Sequence, residues 1–199
     1  STKDRMGVVT TVDSEIQAIC EKAGRSLKKG AIVVSEVKNG EILAMASFPE
    51  YDMNNLSAAF ESEDSPMINR CLYSFSVGSI FKLVTACEGI DEGQNDFMCS
   101  CTGSHTLGNL TFGCHNRSGH GIQNMSEAMA NSCNPYFITL SQCLDLQKYR
   151  SLAYNLGFGR EIHLAAGIIS SAGVLPSVEE LLVPAELANF SFGQGRLTA

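Results

Sequence analysis

Residues 77–89, VGSIFKLVTACEG, contain the pattern around which the rest of the chain can be organised: a serine and a lysine three residues apart at a predicted helix start. Gly78 lets the backbone turn sharply just before Ser79, and the run to Gly89 is typical of a helix. Residues three apart on a helix share a face, so Ser79 and Lys82 are predicted to meet. A lysine in that position can accept the proton of a nucleophilic serine if burial keeps its amine neutral.

The same S-x-x-K spacing occurs at two other places, and neither is predicted to form a site. Ser26 and Lys29 end the first predicted helix, where a lysine is explained by the helix dipole. Ser35 and Lys38 fall on a predicted strand, where residues three apart point to opposite faces. Ser79 is therefore the predicted nucleophile, and the free N–H groups of a helix start would favour a developing oxyanion.

A second short motif, Ser132-Cys133-Asn134, is followed by Pro135, a natural first residue of a helix with Asn134 as its cap. Two polar side chains two residues apart, just before a helix, can project together into a cleft. A purely structural alternative is open for both motifs. In it, Ser79 and Asn134 are ordinary helix caps and Lys82 is a solvated surface charge.

The remaining pattern predicts an α+β fold. A helix is expected at about 13–29, with Ser14 and Gln17 as a capping box, followed by a β-hairpin at about 30–48 with a two-residue turn at Asn39-Gly40. A mostly helical subdomain is expected at about 79–190, interrupted by an irregular segment at 93–124. Its short helices are predicted at about 126–131, 135–144, 146–156 and 177–187.

Composition narrows the functional classes. With 199 residues and 44% hydrophobic content, the chain can form one domain with a substantial core. Its net charge of -7 and lack of a basic cluster argue against a nucleic-acid partner. The sequence has no run of about 20 apolar residues, so a membrane tether is expected outside this chain.

The order of these motifs along the chain resembles that in the transpeptidase domain of class B penicillin-binding proteins. The two motifs are followed by Gly157-Phe158-Gly159 and Phe192-Gly193-Gln194-Gly195. Flanking stretches agree as well: Thr10-Thr11-Val12-Asp13, Ile42 to Pro49, Asn69-Arg70 and Gly119-His120-Gly121. The family usually has proline where Val77 stands. Its third motif, K-T-G, does not occur in the chain, so we expect the front portion of the domain without the last strands of its sheet.

The resemblance implies a penicillin-binding-protein/β-lactamase-like fold and acyl transfer on peptidoglycan stem peptides that end in D-Ala-D-Ala. Ser79 would be the nucleophile and Lys82 its base, Ser132 would relay a proton, and Asn134 would hold the substrate amide and orient Lys82. Gly78, Ser79 and Asn134 would contact the substrate. β-Lactams would acylate Ser79, no cofactor is needed, and the site would lie on the extracytoplasmic side of the bacterial membrane.

Without the K-T-G strand we expect slow or no acylation, because that strand supplies one of the two oxyanion donors in the family. An unpaired sheet edge predicts self-association. Two alternatives stay open: a β-lactamase or D,D-carboxypeptidase, for which Glu161 is a conceivable residue for activating water, and a non-catalytic β-lactam sensor or scaffold.

Cysteine and histidine residues concentrate in the irregular segment: Cys99, Cys101, Cys114, His115 and His120. Their spacing fits no familiar zinc pattern and the family needs no metal, so no metal is expected. A disulfide between Cys114 and either Cys99 or Cys101 is open if the domain is extracytoplasmic. Free thiols are the default expectation.

Overall fold

The computed structural model describes residues 9–165 and 167–199, and the chain divides into two compact units that meet in sequence between Tyr73 and Ser74. Both helices and strands are present, which confirms the α+β prediction. Within the described ranges, no helix combines the length and apolar character needed to cross a bilayer.

The first unit is built on a hairpin covered by a helix. Helix α1 (Ser14–Gly24) precedes strands β1 (Gly30–Ser35) and β2 (Ile42–Phe48), which pair antiparallel from Gly30–Phe48 to Ser35–Ile42. Alternate β2 residues are buried because successive side chains of a strand point to opposite faces. These residues, Ala44, Ala46 and Phe48, form a small core with Cys20 of α1. The pairing of β1 with β2 spans 30–48, the range in which the sequence pattern predicts a hairpin.

Helix α1 differs from its prediction at both ends. The expected Ser14–Gln17 capping box is wrong, because Asp13 is the cap and its carboxylate accepts from the N–H groups of Glu15 and Ile16. The Gln17 amide instead bonds to the backbone N–H and carbonyl of Met45.

The helix also ends at Gly24 rather than near residue 29. Gly24 lies against the ring of Phe48, where a Cβ would sit 2.1 Å from ring carbons. Beyond it, the Leu27 N–H bonds to the Gly24 carbonyl in a turn that leads towards β1.

The hairpin turn is longer than predicted. The Glu36 N–H bonds to the Glu41 carbonyl, so residues 37–40 form the turn, with Gly40 in the left-handed region at φ 75°. Asn39 shapes this turn through its side chain, which accepts from the Glu41 N–H. A short helix, α2 (Leu56–Glu61), lies in the segment after β2.

The second unit is mostly helical. Its elements in chain order are α3 (Lys82–Asp91), β3 (Cys99–Cys101), β4 (Ser104–Leu107), β5 (Leu110–Gly113), β6 (Gly121–Gln123), α4 (Met125–Ala130), α5 (Asn134–Ser141), α6 (Leu146–Asn155), β7 (His163–Ala165), β8 (Ile168–Ile169), α7 (Val178–Leu181) and α8 (Pro184–Ser191). The buried side of α5 lies at the centre, where Tyr136, Phe137 and Leu140 are fully buried. The positions of α3, α4, α5 and α6 agree with the sequence predictions to within a few residues.

Two predictions for this unit are wrong. The segment 93–124 is not irregular throughout, because β3 pairs with β6 and β4 with β5 in two small antiparallel sheets. These strands are only three or four residues long, too short to show an alternating pattern in the sequence. The helix predicted at 177–187 is two helices, since Pro184 cannot continue α7 and instead begins α8.

Candidate active site

The predicted nucleophile lies on a tight turn at the start of α3. Residues Gly78–Phe81 form a 3-10 turn that runs directly into the helix at Lys82, and Ser79 is exposed there. Gly78 has φ 65°, and its N–H bonds to the carbonyl of Gly193 at 2.8 Å. A Cβ on Gly193 would lie 2.1 Å from the Gly78 carbonyl oxygen, so this contact requires glycine.

An aromatic cluster packs around Phe81, the last residue of the 3-10 turn. Phe81 is fully buried, and its ring centroid lies 4.7 Å from that of Phe190, 5.2 Å from that of Phe158 and 6.2 Å from that of Tyr149. Because these rings come from three different segments, they fix Ser79 and Lys82, on either side of Phe81, against the core.

Lys82 joins the two motifs. Its side chain is buried, with 1% exposure, and its Nζ lies 3.1 Å from Ser79 Oγ, 2.8 Å from Ser132 Oγ and 2.7 Å from Asn134 Oδ1. A further bond at 2.7 Å runs to the Ser132 carbonyl. All four contacts are within hydrogen-bond distance, so the alternative in which Lys82 is a solvated surface charge is wrong.

The surroundings of Lys82 favour its neutral form. Burial lowers the pKa of Lys82 from 10.5 to about 8, against the opposing influence of the thiol groups of Cys114 and Cys133. A base with a pKa near the working pH is present partly in its neutral form, which general-base catalysis needs.

The S-x-N motif forms the other side of the site. Ser132 has φ 45°, an uncommon value for a residue with a Cβ, and this turn directs both its hydroxyl and its carbonyl to Lys82. Asn134 is the first residue of α5 rather than its cap, which corrects the prediction, and Cys133 at the cap position makes no side-chain cap bond. The Asn134 amide is used instead to accept from Lys82 and to donate to the Gly113 carbonyl at 3.0 Å.

The structure therefore brings together Ser79, Lys82, Ser132 and Asn134, with Gly78 beside them. Sequence reasoning had no signal for the carbonyl of Gly113, because any residue can supply a backbone carbonyl. It also missed the position of Cys133. This thiol lies with Cys101, Cys114 and His120 in a cluster of side chains of metal-ligating types. Cys99 instead contacts the Thr139 hydroxyl at 3.6 Å.

Comparison with known proteins identifies the family. The sequence profile described as "Penicillin binding protein transpeptidase domain" matches residues 30–199. The chain belongs to this family. The resemblance to class B penicillin-binding proteins is thereby confirmed, and so is the family's fold.

Among curated relatives of this transpeptidase domain, stage V sporulation protein D of Bacillus subtilis strain 168 is 32% identical over 207 residues. Peptidoglycan D,D-transpeptidase MrdA of Acinetobacter baumannii is 27% identical over 212 residues. The matches cover 97% and 95% of this chain but only 31% of either relative. The chain thus spans about a third of the length of these proteins.

Solved structures agree. Pseudomonas aeruginosa PBP2, solved in complex with WCK 5153, has a TM-score of 0.84 at 27% identity, covering 96% of this chain and 48% of that one. Penicillin-binding protein A of Mycobacterium tuberculosis, solved as a penicillin G acyl-enzyme complex, has a TM-score of 0.86 at 22% identity, with the same coverage of both chains. At that identity the second likeness supports the fold alone.

Proposed function

We propose that this chain carries the nucleophile, the base and the proton relay of a peptidoglycan D,D-transpeptidase. The observation that carries the proposal is the position of Lys82 Nζ, within 3.1 Å of Ser79 Oγ and within 2.8 Å of both Ser132 Oγ and Asn134 Oδ1. One buried amine thus contacts every polar side chain of the two motifs. Such an arrangement fits a proton that must move from a nucleophile to a leaving group.

In the first half-reaction, neutral Lys82 accepts the proton of Ser79 as Oγ attacks the carbonyl carbon of the penultimate D-Ala. The Ser79 N–H at the 3-10 turn would be one donor to the oxyanion, and the second would come from the K-T-G strand of the full-length protein. As the C–N bond to the terminal D-Ala breaks, the proton passes from Lys82 through the Ser132 hydroxyl to the leaving amine. The products are free D-Ala and an ester on Ser79.

In the second half-reaction, the amino group of a neighbouring stem peptide attacks this ester. Its proton returns through Ser132 and Lys82 to Ser79 as the C–O bond breaks, so the enzyme is regenerated and a cross-link is formed. Asn134 has a positioning role towards Lys82, since its amide is itself held by the Gly113 carbonyl. A β-lactam would acylate Ser79 by the same steps, but its ring-opened leaving group stays attached.

The proposal concerns the larger protein, of which this chain would be the front part of the catalytic domain. Because the named relatives include a peptidoglycan D,D-transpeptidase and a sporulation protein, we place the domain on the extracytoplasmic face of a bacterial membrane. A tether outside this chain would hold it there.

The test uses the full-length protein that contains this chain, a synthetic stem pentapeptide ending in D-Ala-D-Ala, and a second amine as acceptor. Mass spectrometry should find free D-Ala and the acceptor-linked tetrapeptide, with neither in the Ser79→Ala variant. A Ser26→Ala variant is the matched control, because Ser26 also precedes a lysine by three residues and should leave the rate unchanged. Formation of the free tetrapeptide alone would indicate a hydrolase and overturn the proposal.

A further inference from the structure

Four potential metal ligands converge directly behind the S-x-N motif. Cys101 ends β3, Cys114 follows the last residue of β5, His120 precedes β6, and Cys133 stands between Ser132 and Asn134. One ligand atom of each lies within 4.8 Å of every other. The three cysteines are at most 2% exposed, and His120 is half-buried.

These distances fit a tetrahedral metal ion. Bonds of about 2.0–2.3 Å from zinc to nitrogen and sulfur place neighbouring ligand atoms about 3.5–3.8 Å apart. Cys114 Sγ and His120 Nδ1 are already 3.6 Å apart. The remaining pairs would have to approach by about 1 Å at most to satisfy the same geometry.

The groups that surround the four side chains also suit thiolate ligands. The His120 N–H donates to the Cys101 carbonyl at 3.0 Å, and the Cys114 N–H donates to the Gly103 carbonyl at 2.9 Å, so backbone hydrogen bonds hold these ligands close together. Gln123 is 2% exposed and lies beside the Cys133 sulfur, yet its Nε2 has no hydrogen-bond partner among the described residues. A thiol is a weak acceptor, whereas a metal-bound thiolate accepts well, so a bound ion would give this buried N–H group a partner.

We propose that Cys101, Cys114, His120 and Cys133 together bind one zinc ion. Three thiolates and one imidazole fill the four positions of tetrahedral zinc and leave none for water, so the site is structural rather than catalytic. The ion ties the segment that carries Ser132 and Asn134 to the ends of β3 and β5. Since Gly113, the acceptor for the Asn134 amide, is adjacent to Cys114, the metal also supports the contact that orients Asn134.

The spacing explains why the sequence alone did not reveal this site. The ligands are separated by 12, 5 and 12 residues, whereas familiar structural zinc sites use cysteine or histidine pairs two to five residues apart. Only the fold brings single ligands from four segments together. The fourth, Cys133, lies outside the segment in which the other three are concentrated.

A disulfide is the competing state of the same residues. It would join only two of the three sulfurs and would leave a third thiol, the imidazole and the Gln123 amide without a partner. Cys99, one of the two candidates for a disulfide with Cys114, is outside the cluster. Convergence of all four ligands favours the metal.

The test measures metal content in the full-length protein, purified with reductant and without chelator. Elemental mass spectrometry should find about one zinc per chain in the parent protein, and below about one tenth in Cys101→Ser and Cys114→Ser. His115→Ala and Cys143→Ser are the matched controls. His115 adjoins Cys114, and Cys143 is an exposed cysteine, so both variants should keep the metal.

Because a ligand variant can simply misfold, the parent protein is also exchanged into cobalt. Tetrahedral thiolate-bound cobalt gives intense visible and charge-transfer bands, which zinc should abolish on addition. A folded, reduced parent protein that binds neither metal would overturn the proposal. The proposal would also be overturned if the metal content fell below that of the parent protein by the same amount in His115→Ala and in Cys114→Ser. Neither readout depends on the proposed reaction, so failure here leaves the transpeptidase proposal standing.

Discussion

Asn134→Asp is the substitution that probes the Lys82 base most sharply. It replaces an amide oxygen 2.7 Å from Lys82 Nζ by a carboxylate of nearly the same shape. In the parent protein the pKa of Lys82 is about 8, which leaves roughly one tenth of the amine neutral at pH 7. An adjacent opposite charge favours the protonated lysine and raises its pKa by about 1–3 units.

The neutral fraction at pH 7 should therefore fall by about 10- to 1000-fold, and acylation should slow by the same factor. Because acylation requires neutral Lys82, the acylation rate of the parent protein should rise with pH through about 8. In the Asn134→Asp variant this rise should move up to about pH 9–11.

The assay is the second-order rate of labelling of the full-length protein by a fluorescent penicillin, measured across pH. Asn134→Ala is the control, because it removes the same hydrogen bond without adding charge and should lower the rate without raising the midpoint. Melting temperatures check that both variants are folded. If the Asn134→Asp midpoint stays near that of the parent, Lys82 is not the base whose titration limits the reaction.

Other predictions concern the supports of the site and the state of the chain. Gly193 has φ 75°, and Gly193→Ala would place a Cβ against the Gly78 carbonyl. This variant should lower the free energy of unfolding, measured in urea, by about 2–5 kcal/mol. Gly108 also has a positive φ but faces open space, so Gly108→Ala should lower the free energy of unfolding by only about 1–2 kcal/mol. Phe81→Ala should lower it by about 3–5 kcal/mol, whereas Ile80→Ala, at a residue 73% exposed, should have little effect in the same titration. The 199-residue chain by itself, which has no K-T-G, should be labelled by penicillin about 100- to 1000-fold more slowly than the full-length protein. It should also self-associate through the edges of its two-stranded β1–β2 sheet, and a monomer in light scattering at high concentration would contradict that.

The catalytic residues could be predicted because the members of each motif lie a fixed, short distance apart in the sequence. Ser79 and Lys82 share a helical turn, so their contact needs no knowledge of the fold. Ser132 and Asn134 were recognisable as a pair by their order relative to the first motif. Their contact with Lys82, in contrast, depends on how α5 packs against α3, which sequence reasoning reached only through the family resemblance.

The errors arose where short-range signals compete with tertiary contacts. Asn134 has the residue type of a helix cap, but bonds to Lys82 and Gly113 take up its side chain. Gln17 was assigned to a capping box, but it bonds to the backbone of Met45 on a neighbouring strand. A polar side chain near a helix start has several possible partners, and only the fold decides among them.

The most direct test of the account is to locate the residue that benzylpenicillin acylates in the full-length protein. Intact mass followed by peptide mapping should find one penicilloyl group, on the peptide that contains Ser79. That adduct should be absent from Ser79→Ala and unchanged in Ser26→Ala. An adduct that persists in Ser79→Ala, or that maps to another residue, would contradict the assignment of Ser79 as the nucleophile.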